Sequence, residues 1–171
     1  MFGGKKGLCM SAKSPRDSEV IMTELVLPQH TNDMSTVFGG MVMSWVDIAA
    51  AICAQRHSLK QVVTASVDAM EFLAPVKLGW ILTLKASVNF VAQSSCEVGV
   101  KVTAENPKSG ELFHTASAYV TLVALDGNGR PTKMPSLNPE TPDEKRRFEQ
   151  AKERRAARLE LKRRNADRES T

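Results

Sequence analysis

The sequence has few cysteines, few aromatic residues and no long apolar run. Its three cysteines, Cys9, Cys53 and Cys96, are an odd number without metal-ligand spacing, which argues against a disulfide framework and a metal site. No run approaches the roughly 18 apolar residues of a membrane span. The first 18 residues contain basic side chains but not the apolar segment of a secretory signal. These absences predict a cytoplasmic protein with no metal and no membrane partner.

The positive charge is concentrated at one end of the chain. Residues 1–141 contain 12 basic and 12 acidic side chains, whereas residues 142–171 contain 11 basic and 7 acidic ones, so the net charge of +4 belongs to the tail. The body of the chain therefore lacks the basic surface typical of nucleic-acid-binding domains, and no nucleic-acid partner is predicted. Because the sequence also lacks a phosphate loop and a dinucleotide fingerprint, no cofactor is predicted.

One apolar stretch, residues 38–54, organises the rest of the chain. From Gly40 to Ala54 it is apolar or small apart from Ser44 and Asp47, so it predicts a helix that is buried nearly all round. Burying an unpaired carboxylate costs several kcal/mol, roughly. Asp47 therefore has either a catalytic role, as a general base that activates water, or a structural one, as a turn cap or an ion pair with a lysine across an interface.

Segments of alternating or β-branched residues surround this helix, at 19–27, 62–72, 80–91, 96–104 and 112–125. One strand, one helix and then four strands joined by short turns predict an α+β domain. In it, an antiparallel sheet of five to six strands packs on one long helix. Since the outer side of that helix is also apolar, we expect a second copy of the chain to cover it, which gives at least a dimer.

The chain is predicted to have three parts: a disordered segment 1–18, a globular domain 19–138, and a charged helix and tail 139–171. The last part begins with Thr-Pro-Asp-Glu at residues 141–144, which combines an N-cap threonine, a proline in the first helical position and a glutamate at the third. This combination predicts a helix over residues 142–165.

Two further features near the start of the long helix are candidates for chemistry. Asn32 lies in a polar loop, where its amide donates to a carbonyl oxygen or, alternatively, makes an ordinary Asx turn. Gly39 and Gly40 precede a helix whose first N–H groups suit a developing oxyanion, although close helix–strand packing explains two glycines equally well. Asp47 lies about 10.5 Å along the helix from Gly40. One small reacting group therefore contacts both only if they come from different subunits.

The sequence resembles the hotdog-fold acyl-CoA thioesterases, specifically the cytosolic (brain-type) acyl-CoA hydrolases and their bacterial relatives. The resemblance rests on motifs at residues 27–32, 37–40, 43–47, 62–68 and 139–149. It implies a hotdog fold, a homo-oligomer that is a dimer or a hexamer built as a trimer of dimers, and hydrolysis of fatty acyl-CoA to free fatty acid and CoA. It also implies that Asp47 and Asn32 are catalytic residues from opposite subunits, and that Gly40, with Gly39, supplies the amide that polarises the thioester carbonyl.

The resemblance further implies contacts with coenzyme A, which enters as part of the substrate rather than as a cofactor. Basic side chains near the pocket mouth suit its phosphates, and polar or aromatic neighbours suit its pantetheine arm. The predicted substrate contacts are Arg56, Thr64, Phe72, Lys77, Ser94, Ser95 and Lys108, with Arg146 and Arg147 of the tail as further cations.

Two other functions remain open at the level of the sequence. A non-catalytic acyl-CoA-binding regulator would use the same fold. A hotdog hydratase or dehydratase acting on acyl thioesters usually needs a histidine beside the carboxylate, and His30 and His57 are poorly placed for that role. A nucleophilic triad has little support, because no serine or cysteine elbow accompanies the histidines.

Overall fold

The computed structural model describes residues 11–68 and 70–169. Its elements, in chain order, are β1 (Val20–Leu25), α1 (Gly39–Ser58), β2 (Gln61–Val67), β3 (Glu71–Phe72), β4 (Ile81–Val91), β5 (Ser95–Glu105), β6 (Leu112–Leu125) and α2 (Pro142–Glu169). The predicted α+β order is confirmed, with six strands. The predicted strand 62–72 is two strands in the structure, because the pairing with β6 stops at Val67 and resumes at Glu71 with its register shifted by one residue.

All pairings in the sheet are antiparallel, in the order β1-β4-β5-β6-β2, with β3 also paired to β6. Helix α1 contacts β1, β2, β4, β5 and β6, so the sheet curls around it in the hotdog arrangement that the resemblance implies. The alternation in β4 explains why: Leu82, Leu84 and Ala86 are fully buried against the helix, and Lys85 points to the opposite face. We call these two surfaces the inner face and the outer face of the sheet.

Helix α1 is buried on one side and partly exposed on the other in a single chain. Its inward side is buried, whereas Met43 and Ile48 are 46% and 45% exposed. The neighbouring edge strand β2 exposes Val63 and Val67 as well. An apolar helix stripe beside an unpaired edge strand is a surface that natural proteins cover. This surface is where we expect the second copy predicted from the sequence to pack.

The segment before β1 differs from the predicted disorder in the part that the structure describes. A 3₁₀ helix spans Pro15–Ser18 and is closed by a capping box between Ser14 and Asp17. Lys13 fixes the segment to the domain, because its N–H donates to the Ser136 carbonyl at 2.9 Å and its ammonium donates to the carbonyls of Arg56 and His57. These contacts offset the entropy of ordering the segment. Residues 1–10 lie outside the described residues.

Helix α2 begins as the sequence predicts and ends four residues later than expected, at Glu169. Glu144 accepts hydrogen bonds from the backbone N–H groups of Glu140 and Thr141, and its own N–H donates to the Thr141 hydroxyl. The helix then crosses the outer face, where Phe148 packs on Phe90 at 5.2 Å between ring centroids. Within the described residues, neither helix has the length and apolar character needed to cross a membrane.

Candidate active site

Asp47 is the centre of the candidate site, and it is half-buried on α1. Its Oδ1 accepts a hydrogen bond of 2.6 Å from the hydroxyl of Thr64 on β2. In residues 11–68 and 70–169, Oδ2 accepts no hydrogen bond and the carboxylate forms no ion pair. One oxygen is therefore held in place while the other is available to take a proton from water.

A β-bulge positions Thr64 for this contact. Thr64 pairs with Leu122 of β6 and Ser66 pairs with the next residue, Thr121, so Ala65 is an extra residue in β2. Bulges of this kind bend a strand locally and change the direction of its side chains. The sequence analysis names Thr64 as a substrate contact, whereas the structure gives it a hydrogen bond to the predicted general base.

The start of α1 leaves backbone donors available. Within the part of the chain that the structure describes, the N–H groups of Gly39 and Gly40 have no acceptor, as expected for a first helical turn without a side-chain cap. A Cβ at residue 40 would lie 2.4 Å from Cε1 of Phe38, and one at residue 39 would lie 3.3 Å from Cζ of Phe72. The two glycines therefore let aromatic rings pack close to this turn.

The side chain of Asn32 closes a turn, which is one of the two interpretations made from the sequence. Its Oδ1 accepts hydrogen bonds from the N–H of Met34 at 3.0 Å and from the N–H and hydroxyl of Thr36 at 3.2 and 3.1 Å. The carbonyl side of the amide therefore closes a turn. Its Nδ2 has no acceptor among the described residues and remains a donor for a ligand carbonyl. Thr36 also forms an isolated antiparallel β-bridge with Lys77. This bridge brings Lys77, one of the predicted coenzyme A contacts, beside the turn.

A cavity of about 390 Å³ opens beside the start of α1. Gly39, Thr36, Phe72 and the segment 73–76 line it. The structure thus brings Phe72 next to one of the predicted glycines. Asp47 is not among the lining residues, which agrees with the helix distance that separates it from Gly40 in one chain.

The remaining predicted contacts lie elsewhere in a single chain. Arg56 lies near the far end of α1, where its guanidinium donates to the Glu19 carbonyl at 2.8 Å. Ser94 and Ser95 lie at the start of β5 and Lys108 in the loop after its end, so they are separated by more than about 30 Å of extended strand. The structure does not bring these residues together within one chain, and their role stays a prediction.

Other groups with chemical potential are structural. Cys53 and Cys96 are buried, and burial raises the pKa of the Cys53 thiol to about 12 and that of Cys96 also, so both are the inert core thiols expected. His57 is fully buried and contacts the Pro135 carbonyl, and His30 packs edge-on against Trp45. In residues 11–68 and 70–169, Asp47 has no histidine as a hydrogen-bond partner, and no group of three or more metal-ligating side chains occurs.

The sequence analysis missed a buried carboxylate on the outer face. Glu97 is 2% exposed and accepts hydrogen bonds from Arg154 of α2 at 2.7 and 3.2 Å and from Asn89 at 3.2 Å. The guanidinium of Arg154 also stacks 3.6 Å from the ring centroid of Tyr119. In the sequence Glu97 alternates with Cys96 and Val98, a pattern typical of a solvated strand face, so nothing local signals the pairing.

Comparisons with known proteins agree on one family. A family model described as Thioesterase superfamily matches residues 34–111. Protein VdlD of Helicobacter pylori is 41% identical over 141 residues, which covers 82% of this chain and 80% of that protein. The uncharacterized acyl-CoA thioester hydrolase YkhA of Bacillus subtilis is 42% identical over 129 residues, 75% of each. The cytosolic acyl coenzyme A thioester hydrolase of Homo sapiens is 37% identical over 80% of this chain and 37% of its own length.

Solved structures give the same result. An apo-hexameric acyl-CoA thioesterase superposes with a TM-score of 0.86 at 36% identity, covering 88% of this chain and 97% of its own. An acyl-CoA hydrolase from Staphylococcus aureus, in complex with butyryl coenzyme A and coenzyme A, superposes with a TM-score of 0.84 at 37% identity, covering 94% and 99%. Variants of that hydrolase in which an aspartate, an asparagine or a threonine is replaced by alanine have also been solved.

Proposed function

This chain belongs to the acyl-CoA thioester hydrolases of the thioesterase superfamily, and on that basis we propose how it hydrolyses its substrate. The substrate is a fatty acyl-CoA, and the products are a free fatty acid and CoA. The observation that carries the proposal is the Thr64–Asp47 hydrogen bond of 2.6 Å, which leaves Oδ2 of Asp47 without a partner in the described residues. A carboxylate held in this way is oriented to act on water.

In the proposed mechanism Asp47 removes a proton from a water molecule, which attacks the thioester carbonyl carbon. The negative charge that develops on the carbonyl oxygen is stabilised by the N–H of Gly40 and by the free Nδ2 of Asn32. The tetrahedral intermediate then collapses, the C–S bond breaks, and the thiolate of CoA takes the proton from Asp47, which restores the carboxylate. Thr64 is a positioning residue, since it contacts Asp47 rather than the reacting atoms.

The spacing of these residues supports the assignment. In the Staphylococcus aureus hydrolase, the asparagine and aspartate that were replaced are separated by 15 positions, and the aspartate and threonine by 17. Asn32, Asp47 and Thr64 have the same separations here. Three residue types at two matching intervals are more specific than any one of them alone.

The proposed site is completed by two subunits. Asp47 lies about 10.5 Å along α1 from Gly40, so the Asp47 of one chain acts with the Gly40 and Asn32 of its partner. The exposed apolar Met43 and Ile48 and the edge strand β2 lie near Asp47, which supports a second copy packing beside this residue. We propose a hexamer built from three such dimers and a cytosolic location, in line with the hexameric and cytosolic relatives.

The activity is tested by following thiol release from acyl-CoA substrates of short, medium and long chain. We expect turnover with at least one chain length. If wild-type protein binds acyl-CoA but releases no thiol at any length, the hydrolase assignment is wrong and the regulator alternative holds.

The shared site is tested by mixing two inactive variants. Asp47→Asn and Asn32→Ala chains are co-expressed with different tags, and mixed oligomers are purified through both tags. A mixed dimer contains one intact site and one doubly altered site, so we expect each dimer to recover about half of the wild-type activity. If both residues act within one chain, mixing restores nothing.

A further inference from the structure

The segment that leads into α1, residues 30–38, folds back on itself as a short hairpin. The N–H of Phe38 donates to the His30 carbonyl at 2.8 Å, and the N–H of Asn32 donates to the Thr36 carbonyl at 2.9 Å. We call residues 30–38 the entry hairpin. One of its arms carries Asn32, and the other leads directly into the first turn of α1.

The tip of the entry hairpin has a backbone conformation that is uncommon for residues other than glycine. Ser35 has a φ of 57°, in the left-handed region, and its N–H donates to the Asn32 carbonyl at 3.0 Å. A non-glycine residue keeps this conformation only where the surrounding structure holds it. The geometry around Asn32 therefore depends on contacts outside the tip.

His30 makes two such contacts at the base of the hairpin. Its Nδ1 accepts a hydrogen bond of 3.2 Å from the N–H of Leu27, which closes the 3₁₀ turn Pro28–His30. Its ring also packs edge-on against Trp45 of α1, with 5.1 Å between the ring centroids. Because Trp45 is buried in the core, the imidazole attaches the base of the hairpin to the body of the helix.

The two proposed donors to the thioester oxygen both follow from this attachment. Asn32 lies two residues after His30 in the chain. Gly40 lies two residues after Phe38, whose N–H is bound by the His30 carbonyl. A shift of His30 would therefore move both donors. Oxyanion donors stabilise the transition state only when they point to the place where charge develops, so such a shift lowers kcat.

We propose that His30 is a positioning residue for thioester hydrolysis, which holds the Asn32 amide and the Gly40 N–H in one fixed arrangement. This inference rests on the proposed function, since His30 acts only through these two donors. All the contacts that carry it lie within one chain, so the arrangement is present before a partner subunit supplies its Asp47.

The test compares three replacements of His30. Asparagine keeps an acceptor for the N–H of Leu27, and a side chain of the same length, that of Asp17, reaches the N–H of Ser14 in the 3₁₀ helix before β1. Phenylalanine keeps the ring against Trp45, and alanine keeps neither contact. We expect kcat to fall about tenfold for His30→Ala and about threefold for His30→Asn and His30→Phe. KM stays within about twofold of wild type, as for a loss confined to the transition state.

The matched control is Asp17→Ala. It removes the same kind of hydrogen bond, 2.8 Å long, from a turn that packs beside Arg56 near the other end of α1. We expect a fall in melting temperature similar to that of His30→Ala but a wild-type kcat. If His30→Ala does not assemble, the asparagine and phenylalanine variants provide the same comparison.

A double-mutant cycle tests whether His30 acts through Asn32. The Asn32→Ala chain keeps Asp47 and the Gly40 N–H, so residual thiol release can be measured. In that background we expect His30→Ala to lower kcat by only about threefold or less, because one of the groups that it positions is gone.

A tenfold loss in both backgrounds overturns the role of His30, and so does a wild-type kcat in all three His30 variants. These outcomes are distinct from failure of the proposed function, which would appear as a wild-type protein that releases no thiol.

Discussion

Two carboxylates on opposite sides of the sheet differ in their burial and in their hydrogen-bond partners. On the inner-face side, Asp47 has a neutral hydroxyl partner at 2.6 Å and is half-buried. On the outer face, Glu97 is 2% exposed and is held by the guanidinium of Arg154, with Asn89 as a third contact. The first carboxylate keeps an oxygen available, whereas the second is neutralised by a fixed cation.

The difference shows which group is suited to chemistry. Both oxygens of Glu97 accept hydrogen bonds, so neither is available to a ligand, and breaking such a buried pair destabilises the fold. The half-buried Asp47 has one hydroxyl partner and leaves its second oxygen accessible to water. This contrast supports the proposed catalytic role of Asp47 and a structural role for Glu97 in attaching α2, and the following predictions test both roles.

Replacing Asp47 with asparagine has the largest expected effect. Loss of the general base lowers kcat by about a thousandfold, within the range of general-base contributions, while the free energy of unfolding stays close to that of wild type. Thiol release and chemical denaturation measure the two quantities. Wild-type turnover in this variant would refute the role of Asp47.

Replacing Glu97 with glutamine should instead lower the free energy of unfolding and leave kcat nearly unchanged. Removing one partner of a fully buried ion pair costs about 3–5 kcal/mol, and because the Arg154 side chain is 24% exposed we expect about 2–3 kcal/mol here. Denaturation with urea measures the loss, and kcat stays within about twofold of wild type. A variant that remains stable but loses turnover would place Glu97 in the catalytic machinery instead.

Replacing Thr64 with valine tests the positioning of Asp47. Valine keeps the shape but removes the hydroxyl, and the loss of one hydrogen bond to a charged group lowers kcat by about tenfold. Thr64→Ser is the matched control, since it keeps the hydroxyl and restores most of the rate. An unchanged kcat, or a loss that serine fails to rescue, would show that the 2.6 Å contact is incidental.

Lowering the pH is expected to destabilise the start of α2 by less than the Glu97→Gln replacement does. Burial disfavours the charged form of Glu144, but the N–H groups of Thr141 and Glu140 outweigh it and hold its pKa below the usual 4.5. The capping energy, about 1 kcal/mol, is therefore present above pH 4.5 and is lost as the pH falls through the lowered pKa. Melting temperatures from pH 3 to 7 should converge for wild type and Glu144→Gln at the acid end. A difference in melting temperature between wild type and Glu144→Gln that stays constant with pH would contradict this prediction.

Local patterns were sufficient for most of the fold. The alternation in β4 and β6 and the Thr-Pro-Asp-Glu start of α2 correspond to strands Ile81–Val91 and Leu112–Leu125 and to a helix from Pro142. The sequence analysis missed features that depend on residues distant in the sequence. Residues 62–72 were predicted as one strand because their β-branched character does not report the shift in pairing with β6, and nothing near Glu97 in the sequence indicates Arg154, which lies 57 residues away.

In the candidate site, too, some residues could be identified from the sequence and one contact could not. Asp47, Asn32 and the two glycines stand out in the sequence, because a carboxylate in an apolar helix and a glycine pair at its start are costly unless they are used. The Thr64 contact does not stand out, because it depends on a bulge at Ala65 that turns one hydroxyl towards α1.

Residue types and their periodicity were thus enough to identify an α+β chain with one apolar helix, one isolated carboxylate and a basic tail. Which distant groups meet was decided by tertiary structure: strand register and a bulge set Lys85 opposite Lys101 and direct Thr64, and the packing of α1 and α2 on the sheet brings Asp47 to Thr64 and Arg154 to Glu97. The physical reason is that hydrophobic periodicity acts over a few residues, whereas register is set by turns, bulges and long-range pairing.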